Sequence, residues 1–148
     1  MAPPTPDGTP YRNFNFRVEI EGMGETGFSE VVIPDAWITV VEYRVGADKV
    51  SSTRKLPGRV NYANVILRRG VTGALDLYDW WNAVRQGDLQ RRTVLIVLLD
   101  AERKEVRRWR VERAWPTRYA GPTLNAQGNE IVVETLELAH EGIEVVGA

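Results

Sequence analysis

The chain holds a single histidine, His140, in the stretch LELAHEGIE, with the carboxylates Glu137, Glu141 and Glu144 within four residues of it. An imidazole beside carboxylates is raw material for general acid–base chemistry or for metal ligation. Strand alternation works against both uses, because it puts His140 on the face of Leu136 and Leu138 while Glu137 and Glu141 point the other way. No second histidine, HExxH spacing or cysteine completes a usual zinc set, and no GxSxG turn supplies a nucleophile for a Ser-His-Asp arrangement. His140 therefore reads as a half-buried, hydrogen-bonded residue with a structural role.

Other groups fare no better as catalysts. The pairs Asp76/Asp79 and Glu134/Glu137 have spacings that arise freely in a chain with 20 acids, and they read as solvated surface. The glycines of EGMGETG (21–27) precede no helix start and no GK[ST], so they mark a turn rather than a phosphate loop. Arg68-Arg69, Arg91-Arg92 and Arg107-Arg108 are adjacent basic pairs that a strand splits across its two faces. Trp80, Trp81 and Trp109 are explained by periodicity as core or helix-docking residues. No cofactor is expected.

The elements that carry these residues are mostly strands. YRNFNFRVEIEG (11–22) alternates, with Phe14, Phe16, Val18 and Ile20 on one face. AWITVVEYRVG (36–46) and RVNYANVILRRG (59–70) predict a hairpin around a long polar loop. Residues 72–87 switch to helical spacing, with Thr72 as a start signal, Leu77, Trp80, Trp81 and Val84 on one face, and Gly87 as a stop. TVLIVLL (93–99) has the unbroken apolar character of a strand buried on both sides, and DAERK turns it into EVRRWRVERAW. GPTLNAQGN then leads into one long last strand, EIVVETLELAHEGIEVV. The sum is a mainly β domain, a sandwich or small barrel of antiparallel strands with one helix.

Composition bounds the rest. With 148 residues, 43% of them hydrophobic, the chain can bury the core of one domain over residues 11–148. Residues 1–10 carry four of the eight prolines and predict an extended arm. The net charge of −1 gives no global drive toward nucleic acid, and the absence of cysteine removes disulfides and thiolate chemistry. Arginine supplies 16 of the 19 cations, a skew that suits protein interfaces and equally fits coding bias. No basic and apolar leader opens the chain and no apolar run nears the ~20 residues of a membrane span, so the expectation is synthesis in the cytosol without a membrane anchor.

The order NFNFRVEIEG, EYRVG, KLPGRVNYANVILRRGVTG, LYDWW, RRTVLIVLLD, WRVERAWPTRYAGPTLNAQGNEI and LELAHEGIEV, spanning nearly all of residues 11–145, resembles the inner tube proteins of contractile phage tails and phage-tail-like contractile injection systems. One departure is VVIPDAW (31–37), where the family has a small Ser-Gly-Leu type turn. The resemblance implies two packed antiparallel sheets with one helix, and hexameric rings stacked into a hollow tube. It implies sheath, baseplate and tube-terminating partners, and a lumen for cargo or a tape-measure protein. It also implies that residues 46–58, with Asp48, Lys49, Arg54, Lys55, Leu56 and Pro57, form a loop that reaches the adjoining ring. Lumen-facing candidates are Glu42, Arg44, Arg68, Glu134 and Glu137, and the family-motif core and contact positions are Trp80, Trp81, Trp109, Trp115, Pro116 and His140. On this reading the protein is no enzyme. A type VI secretion-like tube ring is the neighbouring alternative, and a monomeric barrel binding a small ligand is a more distant one.

Overall fold

The computed structural model of the chain describes residues 15–44, 46 and 53–147. The expected arm over residues 1–10 and the loop residues Asp48 and Lys49 lie outside the described residues. The described strands are β1 (Phe16–Ile20), β2 (Gly24–Thr26), β3 (Glu30–Val32), β4 (Ala36–Tyr43), β5 (Arg54–Tyr62), β6 (Val65–Gly70), β7 (Arg92–Leu99), β8 (Glu105–Ala120), β9 (Val133–Ala139) and β10 (Gly142–Gly147). The helix α1 (Asp76–Arg85) lies between β6 and β7. Every pairing among these strands is antiparallel.

One sheet runs β2-β1-β7-β8-β9-β6-β3, with β10 also beside β8. The 16-residue strand β8 makes this strip fold over on itself, since its first part pairs with β7 and its last part with β9. Between them, Arg113 takes a positive φ of 50° and the register to β7 jumps from Val94↔Val111 to Arg92↔Ala114. An extra residue bends a strand and increases its twist, which turns the corner between the two layers. On the other side of β8 the expected single last strand is two strands: β9 ends at Ala139 opposite Trp115, and β10 begins at Gly142 opposite Glu112. The break at His140 and Glu141 follows the bend of its partner, and an Arg113–Glu141 ion pair and a Glu141 N–H bond to the Glu112 carbonyl tie the two together.

The core lies between the layers and takes one alternating face from β1, β6, β7, β8 and β9: Val18 and Ile20, Val65 and Leu67, Val94 and Ile96, Val111, and Leu136 and Leu138. Val97 and Leu99, on the reverse face of β7, are buried as well, which accounts for the unbroken apolar run. Helix α1 docks Leu77 and Trp80 into the same core, and the Trp80 indole donates to the Gln90 carbonyl at 2.7 Å. Thr72 does not cap this helix. Its hydroxyl accepts from Ala74 N–H in the preceding turn, and the helix starts only at Asp76, whose carboxylate is held by Arg69. Gly87, at φ 94°, ends it in the left-handed region as expected.

The predicted hairpin needs two corrections. RVNYANVILRRG is not one strand, because β5 stops at Tyr62 and β6 begins at Val65 in the other sheet. Residues 54–57, expected in a loop, are strand: Arg54, Lys55, Leu56 and Pro57 pair with Tyr43, Glu42, Val41 and Val40. Proline is tolerated there because a two-stranded ribbon leaves each strand with an edge that needs no N–H donor.

Candidate assembly interface

The strand pair β3–β6 and the ribbon β4–β5 are successive stretches of one long hairpin. The inner stretch belongs to the packed body, while the outer stretch forms a separate two-stranded sheet. The segment VVIPDAW makes the joint: Val31 and Ile33 pack on the core, the Asp35 carbonyl accepts from Ala63 N–H at 2.9 Å, and β4 begins at Ala36.

All eight residues of β4 and the first seven of β5 are exposed. Trp37, Ile38, Val40, Val41, Tyr43, Leu56 and Val60 each keep between 46% and 58% of their surface open. Adjacent residues of a strand point to opposite faces, so Val40 and Val41 put apolar side chains on both sides of the ribbon. An isolated two-stranded hairpin is marginal in water at best, and an apolar patch of this extent marks a protein interaction surface. Covering each half-open side chain gains roughly 1 kcal/mol.

His140 fastens the root of the ribbon to the body. Its Nε2 lies 2.8 Å from the Ala63 carbonyl, its Nδ1 accepts from Gly142 N–H at 3.1 Å, and its ring sits 5.6 Å from the Tyr62 ring. With Nδ1 an acceptor, the proton is on Nε2 and the imidazole is neutral. Both nitrogens are occupied by backbone, which answers the chemistry His140 raised: it is a fastener at a bend.

A second polar group lies inside. Arg69 Nε donates to Glu134 at 2.7 Å, its Nη1 reaches Asp76 at 3.3 Å, and the Tyr119 hydroxyl donates to Glu134 at 2.7 Å. Burial opposes the Arg69 charge, but hydrogen bonds to Asp76 and Glu134 outweigh it and raise its pKa. The hydrogen bond from Arg69 holds the Asp76 carboxyl below the usual carboxylate range, and the bond to Glu134 pushes the Tyr119 hydroxyl up to about 12. Glu134 is therefore enclosed and does not face a lumen, and Asp76 and Glu134 are ion-pair partners rather than solvated surface. The signal was present: Arg69 shares the alternation of Val65 and Leu67, and Glu134 that of Leu136 and Leu138.

The other candidates divide by location. Arg68 and Glu137 lie on the outer face of β6 and β9, Arg68 paired with Glu30 at 2.9 Å and Glu137 accepting from Asn64 at 2.9 Å. Glu42 lies on the ribbon opposite Lys55, and Arg44 is exposed just past its end. Trp80 is buried, Trp81 donates to the Thr117 carbonyl at 3.3 Å, Trp109 packs on the core edge, Trp115 is half-buried and Pro116 is buried. Among the described residues no group of three or more His, Asp or Glu could hold a metal ion.

The match to the family model described as T4-like virus tail tube protein gp19 runs over residues 12–144. The chain belongs to this tail tube family. Solved structures agree. A chain in the sheath-tube complex of the extracellular contractile injection system PVC, in its extended state, is 26% identical with a TM-score of 0.84, covering 94% of this chain and 93% of that one. A chain in the tube-terminating cap of the anti-feeding prophage is 26% identical with a TM-score of 0.85, covering 95% and 93%. Hcp1 from Flavobacterium johnsoniae, at 10% identity and a TM-score of 0.55 over 90% and 95%, shares the fold. No curated protein sequence matches the chain. The tail tube family is structural, and the two-layer β fold with one helix expected from the resemblance is the observed one.

Proposed function

We propose that the chain is a ring subunit of the inner tube of a contractile injection particle or contractile phage tail. Six copies form a ring, rings stack around a lumen that conducts or carries cargo, and sheath, baseplate and a terminating protein bind the tube. The protein is made in the cytosol, ends in the assembled particle and turns over no substrate. The observation that carries this reading is the β4–β5 ribbon, apolar on both faces and, among the described strands, a two-stranded sheet apart from the body. Strands from neighbouring copies laid beside such a ribbon remove its free edges and close a larger barrel. Glu42, Arg44, Arg68 and Glu137 are the remaining candidates for the lumen wall. Residues 46–58, of which 54–58 are the start of β5, are the candidate contact to the adjoining ring.

Negative-stain electron microscopy of the purified protein, beside its light-scattering mass, tests this. Sixfold rings or tubes are expected. A strict monomer at high concentration, also in the presence of a baseplate template, would overturn the reading.

A further inference from the structure

The most exposed large apolar side chains of the described residues lie away from the ribbon. Ile131 keeps 82% and Leu124 78% of its surface open. Both line one concave site of about 480 Å³, together with Thr123, Asn125, Glu130 and Val132. Val71 continues the rim, since its N–H donates to the Val132 carbonyl at 2.8 Å and its side chain is exposed.

The place of this groove in the fold bears on its occupant. It adjoins the Gly70–Val133 end of the β6–β9 pair, whereas the ribbon leaves from the Val65–Leu138 end. The two are separated by the length of β6, roughly 17 Å at about 3.4 Å per residue. Among the described residues, two apolar surfaces are thus left open at opposite ends of the same strand pair. A contact between two different patches of identical chains is head to tail, and such a contact repeats into a closed ring or an open stack. Charge agrees: the described ribbon, residues 36–44 and 53–62, holds Arg44, Arg54, Lys55 and Arg59 against Glu42, and among the described residues the charged side chain lining the groove is Glu130.

We propose that the groove formed by residues 123–132 receives the β4–β5 ribbon of a second copy of this chain. The assignment rests on the tube-subunit reading and names the receiving surface for it. Leu124 and Ile131 cover the apolar face of the incoming ribbon, and Glu130 meets its cations.

The absence of cysteine makes a direct test possible. Leu56→Cys on the ribbon and Leu124→Cys in the groove are combined in one chain, assembled, and oxidised gently. Both positions are exposed, so the fold tolerates the changes. The expected result is a ladder of disulfide-linked oligomers beyond the dimer, with neither single variant giving more than a dimer. Glu130→Lys should reduce the assembled fraction at least tenfold without altering the unfolding midpoint of the isolated chain. No ladder from preparations that form rings or tubes in the microscope would overturn the groove assignment and leave the tube reading standing. No assembly even of the unaltered chain, also in the presence of a baseplate template, would overturn both.

Discussion

His140 Nε2 donates to the Ala63 carbonyl across 2.8 Å, joining the bend between two body strands to the joint from which the exposed ribbon departs. The residues are 77 positions apart in sequence, and a single neutral imidazole satisfies the backbone of both segments.

Replacing His140 with Phe keeps a ring beside Tyr62 but leaves the Ala63 carbonyl and Gly142 N–H without their partner. The expected cost is about 1–3 kcal/mol in denaturant unfolding. Nitrogen NMR of the wild-type protein should show the Nε2–H tautomer; finding the proton on Nδ1 would rule out this arrangement.

Glu134→Ala should be the more damaging change, on the order of 3–5 kcal/mol, because it strands the buried Arg69 guanidinium with only Asp76 beside it. Tyr119→Phe removes one hydrogen bond to the same carboxylate and should cost about 1–2 kcal/mol. Equilibrium unfolding of the two variants should preserve that order.

Asp76 makes part of the stability acid-sensitive. Its folded pKa lies below the unfolded value, so its contribution is complete above the ordinary carboxylate range and is lost as pH falls through the folded pKa. The carboxylate is about one-third exposed, and the contribution is on the order of 1 kcal/mol after screening. Asp76→Asn should flatten that part of the acid limb in unfolding midpoints measured from neutral pH downward; an unchanged limb would contradict the assignment.

The ribbon should behave in the opposite manner to the core. Val41→Asp or Val60→Asp should shift the unfolding free energy of the isolated chain by no more than about 0.5 kcal/mol, since both side chains are half-open and lie outside the core. Either should abolish rings and tubes in electron micrographs. Arg54→Glu and Lys55→Glu should shorten tubes, and tubes of unaltered length would exclude a role for those charges in stacking.

Gly58 is required by close approach. A Cβ there would lie 2.8 Å from the Thr39 carbonyl oxygen and 2.8 Å from Val41 Cγ2, beside the register shift between Ile38 and Val40. Gly58→Ala should therefore deform the ribbon and reduce assembly while leaving the core unfolding transition near its wild-type midpoint. Normal tubes from this variant would show that the close approach is dispensable.

Alternation made the core residues legible, because Val18, Val65, Leu67, Leu136 and Leu138 must share a face once their segments are strands. It also contained the buried ion pair, as Arg69 and Glu134 keep step with those residues. Their charge argued for solvent, and only a partner brought from 65 positions away makes burial tolerable. The helix face was readable from Leu77 and Trp80, whereas its start depended on Arg69, which lies outside the helix.

By itself the sequence determined the β-rich class, the single helix, the tail tube family and the poverty of catalytic groups, since each follows from local periodicity, order of segments and residue inventory. Tertiary structure alone decided where the long strands break, that residues 54–57 are strand and not loop, and that β4 and β5 form a sheet of their own. Those outcomes depend on contacts between distant segments: the Arg113 bulge facing the His140 bend, and the Ala63 carbonyl held by an imidazole from the far end of the chain. Local propensity carries no record of which distant segment will supply a partner, so the breaks and the exposed ribbon emerge only when the chain is folded.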